Sequence, residues 1–168
     1  TEINPKNFKA YYYMAKAKYN VDDYLGAKAD FQRALELRPK QVDIYAYIGY
    51  ANFKLKNYSD SIKDYTKSIE LFPNNKYLTN VFYNRGQSKF NLKDYSGAIS
   101  DYSKVLEIDI KYYEALFARG LAKYNFGDEL GACKDFGKLM QIIDKSSLEY
   151  KELIGNVNQI YNEECVEF

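Results

Sequence analysis

The sequence predicts an all-α chain of antiparallel helix pairs stacked as a solenoid, and three observations predict it. Four segments align without internal gaps at a period of 34 residues: 8–41, 42–75, 79–112 and 113–146. Within each, small residues and aromatics recur at fixed offsets, while the other apolar residues follow helical spacing, as in Ile99, Tyr102, Val105 and Leu106. Each segment is also broken near its middle by helix-ending and helix-capping residues, so every unit reads as helix, turn, helix.

Taken in order, Thr1–Asn7 reads TEINPKN and matches the tail of a repeat, LELRPKQ at Leu35–Gln41. Residues 1–7 are therefore expected to end a preceding repeat of a longer array, with a short leader as the alternative. The first full unit, 8–41, carries Ala15 at its eighth position, Ala27 at its twentieth, Phe31 at its twenty-fourth and a closing Pro39. The second, 42–75, places Gly49, Ser61, Tyr65 and Pro73 at the same offsets. Three added residues, Lys76–Leu78, predict an extra turn on the next helix, capped by Asn74 or Asn75. The third unit, 79–112, holds Gly86, Ala98 and Tyr102, and the fourth, 113–146, holds Gly120, Ala132 and Phe136; Ile110 and Asp144 replace their closing prolines. Small residues at positions eight and twenty let two helices approach closely, with the aromatics filling the space beside them.

Asn20, Asn91 and Asn125 mark the ends of the first helices, with Lys54 as the exception, and Asp23, Asn57, Asp94 and Asp128 are the expected N-caps of the second helices. Residues 147–162 predict one more helix, apolar along Leu148, Leu153, Ile154, Val157, Ile160 and Tyr161, which would seal the last hairpin. Residues 163–168 are expected to be a frayed tail. On these offsets, together with the aromatic at position seventeen (Tyr24, Tyr58 and Tyr95, with Glu129 departing), the chain closely resembles the tetratricopeptide repeat over about four-fifths of its length. The resemblance implies a right-handed α–α superhelix of four repeats plus a capping helix.

Composition narrows the function. Hydrophobic residues make up 46% and charged residues 28%, as in a folded protein. A net charge of +1 argues against nucleic acid as partner, and no apolar run approaches the about 20 residues of a membrane span. Histidine is absent, which removes the commonest general base and metal ligand, and no Gly-rich phosphate loop exists. Cys133 and Cys165 lack metal-site spacing and read as small buried apolar residues or free thiols, for which a reducing, cytoplasmic setting is the default. No enzyme activity, cofactor or metal is expected. A carboxylate row, Asp30, Asp64, Asp101 and Asp135, recurs once per repeat; Arg85 and Arg119, at position seven of the last two repeats, are expected to pair with it across the helix interface.

The resemblance further implies a concave face presented by positions two, five, six, nine, twelve and thirteen of the first helices, which takes a peptide or helix of a partner protein. Carried over, the first repeat offers Lys9, Tyr12, Tyr13, Lys16, Tyr19 and Asn20, and the second Asp43, Ala46, Tyr47, Tyr50, Phe53 and Lys54. The third offers Asn80, Tyr83, Asn84, Gln87, Phe90 and Asn91, and the fourth Glu114, Phe117, Ala118, Leu121, Tyr124 and Asn125. Tyr19, Phe53, Phe90 and Tyr124 recur in every repeat and read as packing. Tyr12, Tyr13, Lys16, Tyr47, Tyr50, Lys54, Tyr83, Asn84, Gln87 and Asn91 are the candidate partner contacts, and they account for several of the 19 tyrosines. The lysine-and-asparagine clamp of chaperone-binding family members is not reproduced: Tyr12 or Ala46 stands where its first lysine belongs, and Asn84 alone matches. A structural spacer or self-assembling segment, and a co-chaperone-like adaptor without the clamp, are the alternatives to a partner-binding scaffold.

Overall fold

A computed structural model of the chain describes residues 7–73, 78–143 and 151–165. Among these residues there are nine α-helices: α1 (Phe8–Asn20), α2 (Tyr24–Leu37), α3 (Val42–Lys54), α4 (Tyr58–Leu71), α5 (Leu78–Asn91), α6 (Tyr95–Ile108), α7 (Tyr113–Phe126), α8 (Glu129–Ile142) and α9 (Lys151–Glu164). The described residues contain no strand. Turns of two or three residues join α1 to α2, α3 to α4, α5 to α6 and α7 to α8, and α1–α2, α3–α4 and α7–α8 pack as antiparallel hairpins. The chain divides into two compact units, residues 1–88 and 89–168, with the boundary in the last turn of α5.

In the first unit, Ala15, Ala27, Phe31, Ala34, Ile44 and Ile48 form a buried core, with Tyr12, Tyr19 and Tyr47 packed against it. The small residue at position eight works as expected in the second repeat. A Cβ on Gly49 would stand 3.0 Å from the Tyr65 ring. In the second unit the same fit is tighter, because a Cβ on Gly120 would stand 2.4 Å from Phe136. Around that pair Ala115, Leu116, Ala132, Phe136 and Leu139 are fully buried, as are Ala98 and Val105 on α6.

The hairpin turns repeat one geometry. Asp23, Asp94 and Asp128 each accept a hydrogen bond at 2.9 Å from the backbone N–H of Gly26, Gly97 and Gly131. Asn57 occupies the corresponding N-cap but makes no side-chain capping bond. The first helices end at Asn20, Lys54 and Asn91 in three repeats, and in the fourth at Phe126, one residue past Asn125. The chain reverses two residues after the thirteenth position, where Asp22, Lys56, Lys93 and Gly127 all adopt positive φ between 61° and 93°. Helix α5 starts at Leu78; Asn74, Asn75 and the rest of the inserted turn lie outside the described residues, as do 1–6, Leu148 and 166–168.

One reading is corrected. Cys133 and Cys165 are neither free thiols nor isolated apolar residues: they form a disulfide with their Cα atoms 5.5 Å apart. The bond ties α8 to the residue following α9, whose Val157 is fully buried. The default of a reducing compartment rested on unpaired cysteines and loses that support. Arg85 donates to Thr66 Oγ1 at 3.0 Å within the first unit and lies over the Phe82 ring. Arg119 does pair as expected, donating from Nε and Nη2 to the two oxygens of Asp135 at 2.8 and 2.7 Å.

Candidate functional site

The carboxylate row could have carried acid–base or cation chemistry, but three of its four members are committed to ion pairs. At position eleven of the first, third and fourth repeats stand Lys18, Lys89 and Lys123, and each reaches the aspartate twelve residues on. The distances are 2.6 Å to Asp30, 2.9 Å to Asp101 and 2.9 Å to Asp135. Lys89 and Lys123 also donate to the carbonyls of Gly97 and Gly131. Sequence reasoning missed these lysines, although their constant offset from the aspartates was visible.

The second repeat breaks the pattern and repairs it. Asn52 replaces the lysine and donates to Asp64 at 2.7 Å, while Lys28 of the preceding repeat donates to Asn52 Oδ1 at 2.8 Å. Asp64 has no direct cation, and burial holds its carboxyl above the ordinary carboxylate range. No group of three or more acidic or cysteine side chains among the described residues is arranged to hold a metal.

What remains is an aromatic face in the first unit, built by α1 and α3. Tyr19 is its hub, with ring centroids 5.7 Å from Tyr24, 5.2 Å from Tyr47 and 5.4 Å from Tyr50. Tyr50 continues to Phe53 at 6.4 Å, and Phe53 to Tyr58 at 5.8 Å. Tyr47 stacks on the core ring of Phe31 at 5.1 Å and 6°. Tyr13 stands edge-on to Tyr12 and is 63% exposed. These rings meet because positions five, six, nine and twelve of a helix fall on one side of it, and α2 brings α3 alongside α1.

Polar groups on this face are sorted by partner. The Tyr12 hydroxyl donates to Asp43 at 2.6 Å, and Gln41 donates to the other oxygen of Asp43 at 2.8 Å. Burial, then the Asp43 bond, raises the Tyr12 pKa, while burial and neighbouring tyrosines raise that of Tyr19. Tyr24 donates to Asp22, and that bond is the main cause of its pKa rising to about 12. All three hydroxyls therefore stay protonated donors at neutral pH. Lys16 sits over the rings of both Tyr12 and Tyr47, at 5.7 and 5.8 Å, and Lys54 over Tyr50 at 5.4 Å.

Of the ten candidate contacts, Tyr12, Tyr13, Lys16, Tyr47, Tyr50 and Lys54 are joined by these contacts into one cluster. On α5, Asn84 acts on the buried Tyr65 hydroxyl, opposing the rise in pKa that burial imposes there. Tyr83 and Gln87 are half-buried on the same helix. Asn91 is exposed and belongs to the second unit. The recurring aromatics Phe53 and Phe90 each pack on the tyrosine at position seventeen of their own repeat; Tyr124, facing Glu129 in sequence, is 38% exposed.

Comparison with known proteins adds the following. Sequence models of the tetratricopeptide repeat match residues 42–75, and 8–41 with 79–112, together more than half of the chain. No curated protein matches by sequence. Among solved structures, the chain is similar to a MamA protein (TM-score 0.76, 22% identity, covering 82% of this chain and 73% of that one). It is also similar to a tetratricopeptide repeat protein from Parabacteroides merdae ATCC 43184 (TM-score 0.76, 16% identity, covering 93% and 60%). A third similar structure is the first such domain of Spaghetti (RPAP3) bound to the HSP90 peptide SRMEEVD (TM-score 0.65, 18% identity, covering 74% and 97%).

Proposed function

Because the chain belongs to the tetratricopeptide repeat family, we propose that it is a protein–protein interaction scaffold whose α1–α3 face holds a segment of a partner protein. The observation that carries this reading is the aromatic cluster itself. It leaves Tyr13 63% exposed beside rings already fixed by their neighbours, so the face offers apolar area at little cost in side-chain entropy. A peptide is the natural ligand class, since the Spaghetti domain was solved with one. The division of labour within the cluster follows from its contacts. Tyr47 is anchored to the core through Phe31 and supports the face, whereas Tyr13 and Tyr50 are the rings offered to a ligand. We read the fourth hairpin, α7–α8, as a further repeat and α9 as a capping helix packed on it.

The test is capture of partners by the immobilised protein, read by mass spectrometry, with wild type and a Tyr13→Ala, Tyr50→Ala double variant. The expected result is a specific partner lost in the variant while its melting temperature stays close to wild type. Retention of that partner by the folded variant overturns the assignment of this face. Mass measured across a concentration series separates this function from self-assembly, which would give concentration-dependent oligomers.

A further inference from the structure

We propose that the segment held by the α1–α3 face is acidic, with side-chain carboxylates seated on Lys16 and Lys54 and an apolar residue between them on Tyr13 and Tyr50. This rests on the reading of the face given above. Its support is the way the two lysines of the face are held. Lys18, Lys63, Lys67, Lys89, Lys104 and Lys123 each meet a carboxylate of the chain itself, at 2.6 to 3.5 Å. Lys16 and Lys54, like several other lysines, have no carboxylate partner among the described residues, and what each lies against is a tyrosine ring. A ring face holds an ammonium in place but leaves its N–H donors unspent.

The balance of charge on the face points the same way. Across the presented positions of the first two repeats stand three lysines, Lys9, Lys16 and Lys54, against one acid, Asp43. That acid is already engaged on both oxygens, by Tyr12 and Gln41, and cannot neutralise a lysine without giving up those bonds. An incoming carboxylate would find ammonium groups whose long side chains are already ordered, so less entropy is lost on forming a charge-assisted bond. The neighbouring rings lower the local polarity and strengthen the pairing. Both lysines lie on the helix face and neither belongs to a carboxylate-clamp set. The recognised groups are therefore side-chain carboxylates within a segment, and a free chain terminus is not required.

The experiment uses the whole chain and a random nonapeptide library displayed on phage. Enriched sequences are then synthesised with amidated C-termini and measured by calorimetry. Enrichment of Asp and Glu is expected. Replacing those acids by Asn and Gln should weaken binding about tenfold at low salt, with the difference shrinking at high salt. The Lys16→Met, Lys54→Met double variant, which keeps the apolar stems, should bind acidic and amide versions equally. Affinity should fall as pH drops through the ligand carboxyl range near about 4. Enriched peptides without acids, lost on Tyr13→Ala, Tyr50→Ala substitution, would overturn the acidic ligand and leave the face standing. Peptides that bind only with a free C-terminal carboxylate would also overturn it. No enrichment at all would overturn both.

Discussion

Asp22, Lys56, Lys93 and Gly127 share one backbone conformation and differ in what it costs them. A left-handed φ brings Cβ toward the following carbonyl, a penalty of about 1–2 kcal/mol that glycine escapes. Only the fourth repeat uses glycine there. Lys56→Gly or Lys93→Gly is therefore expected to raise stability by about 0.5–1 kcal/mol, after the entropy that glycine adds to the unfolded chain. The urea midpoint should move up with an unchanged slope; no movement would mean that the lysine side chain supplies an offsetting contact. Gly120 is the opposite case. Its missing Cβ is the space that Phe136 occupies, so Gly120→Ala should destabilise by about 1–3 kcal/mol through overpacking. These positions also mark where sequence was silent. Gly120 was legible as a packing residue because it faces an aromatic at a fixed offset, whereas a lysine, as at positions 56 and 93, gives no hint of positive φ.

Between helices, the recurring lysine–aspartate pair is the second regularity, and the second repeat is its informative failure. Lys28 stands at position twenty-one, where the other repeats carry Ile62, Ile99 and Cys133, and it supplies through Asn52 the charge that Asn52 lacks. Lys28→Ile alone should cost about 1–3 kcal/mol, because it strips a donor from a half-buried network. Adding Asn52→Lys should recover most of that loss, since it restores the arrangement of the other repeats. A double-mutant cycle in chemical unfolding measures the coupling, and simple additivity would contradict it. Asp64 also predicts a pH response. Its carboxyl is raised, so the folded chain binds that proton before the unfolded chain does as pH falls. The contribution of Asp64 is thus favourable in acid and is lost as pH rises through its raised pKa. Relative to Asp64→Asn, wild type should gain stability from pH 7 down toward the ordinary carboxylate range near about 4. The offset of twelve residues made the pairing readable in principle. The arginines stand out in the sequence because they break the apolar pattern, while a lysine at a surface-like position does not.

At the scale of the chain, the repeats were legible because their signal is local: period, small residues, aromatics and caps all lie within one 34-residue window. The disulfide was not, because 32 residues separate its cysteines and nothing in their spacing encodes the path of the chain between them. Closing a loop of that length stabilises a fold by roughly 2–4 kcal/mol, mainly through the unfolded state. Cys165→Ser, or a reductant, should therefore lower the melting temperature of the second unit. Amide exchange in α8 and α9 should quicken while that of α1 to α4 is unchanged. Equal loss of protection in α1 to α4 would show that the effect is not confined to the unit that carries the bond. The aromatic face was half legible: its residues were named from their offsets, but which rings are anchored and which lysines lack a carboxylate depends on contacts between helices.

The borrowed lysine of the second repeat has a consequence for how such an array can be cut and recombined. A length of chain carrying Asn52 and Asp64 is self-sufficient only when Lys28 precedes it. Duplicating the second repeat would put Ile62 in the place of Lys28 and leave the new aspartate buried beside an amide with no cation behind it. The smallest transplantable module at this end is the pair of repeats, and a tandem array engineered from single copies should begin from the third or the fourth.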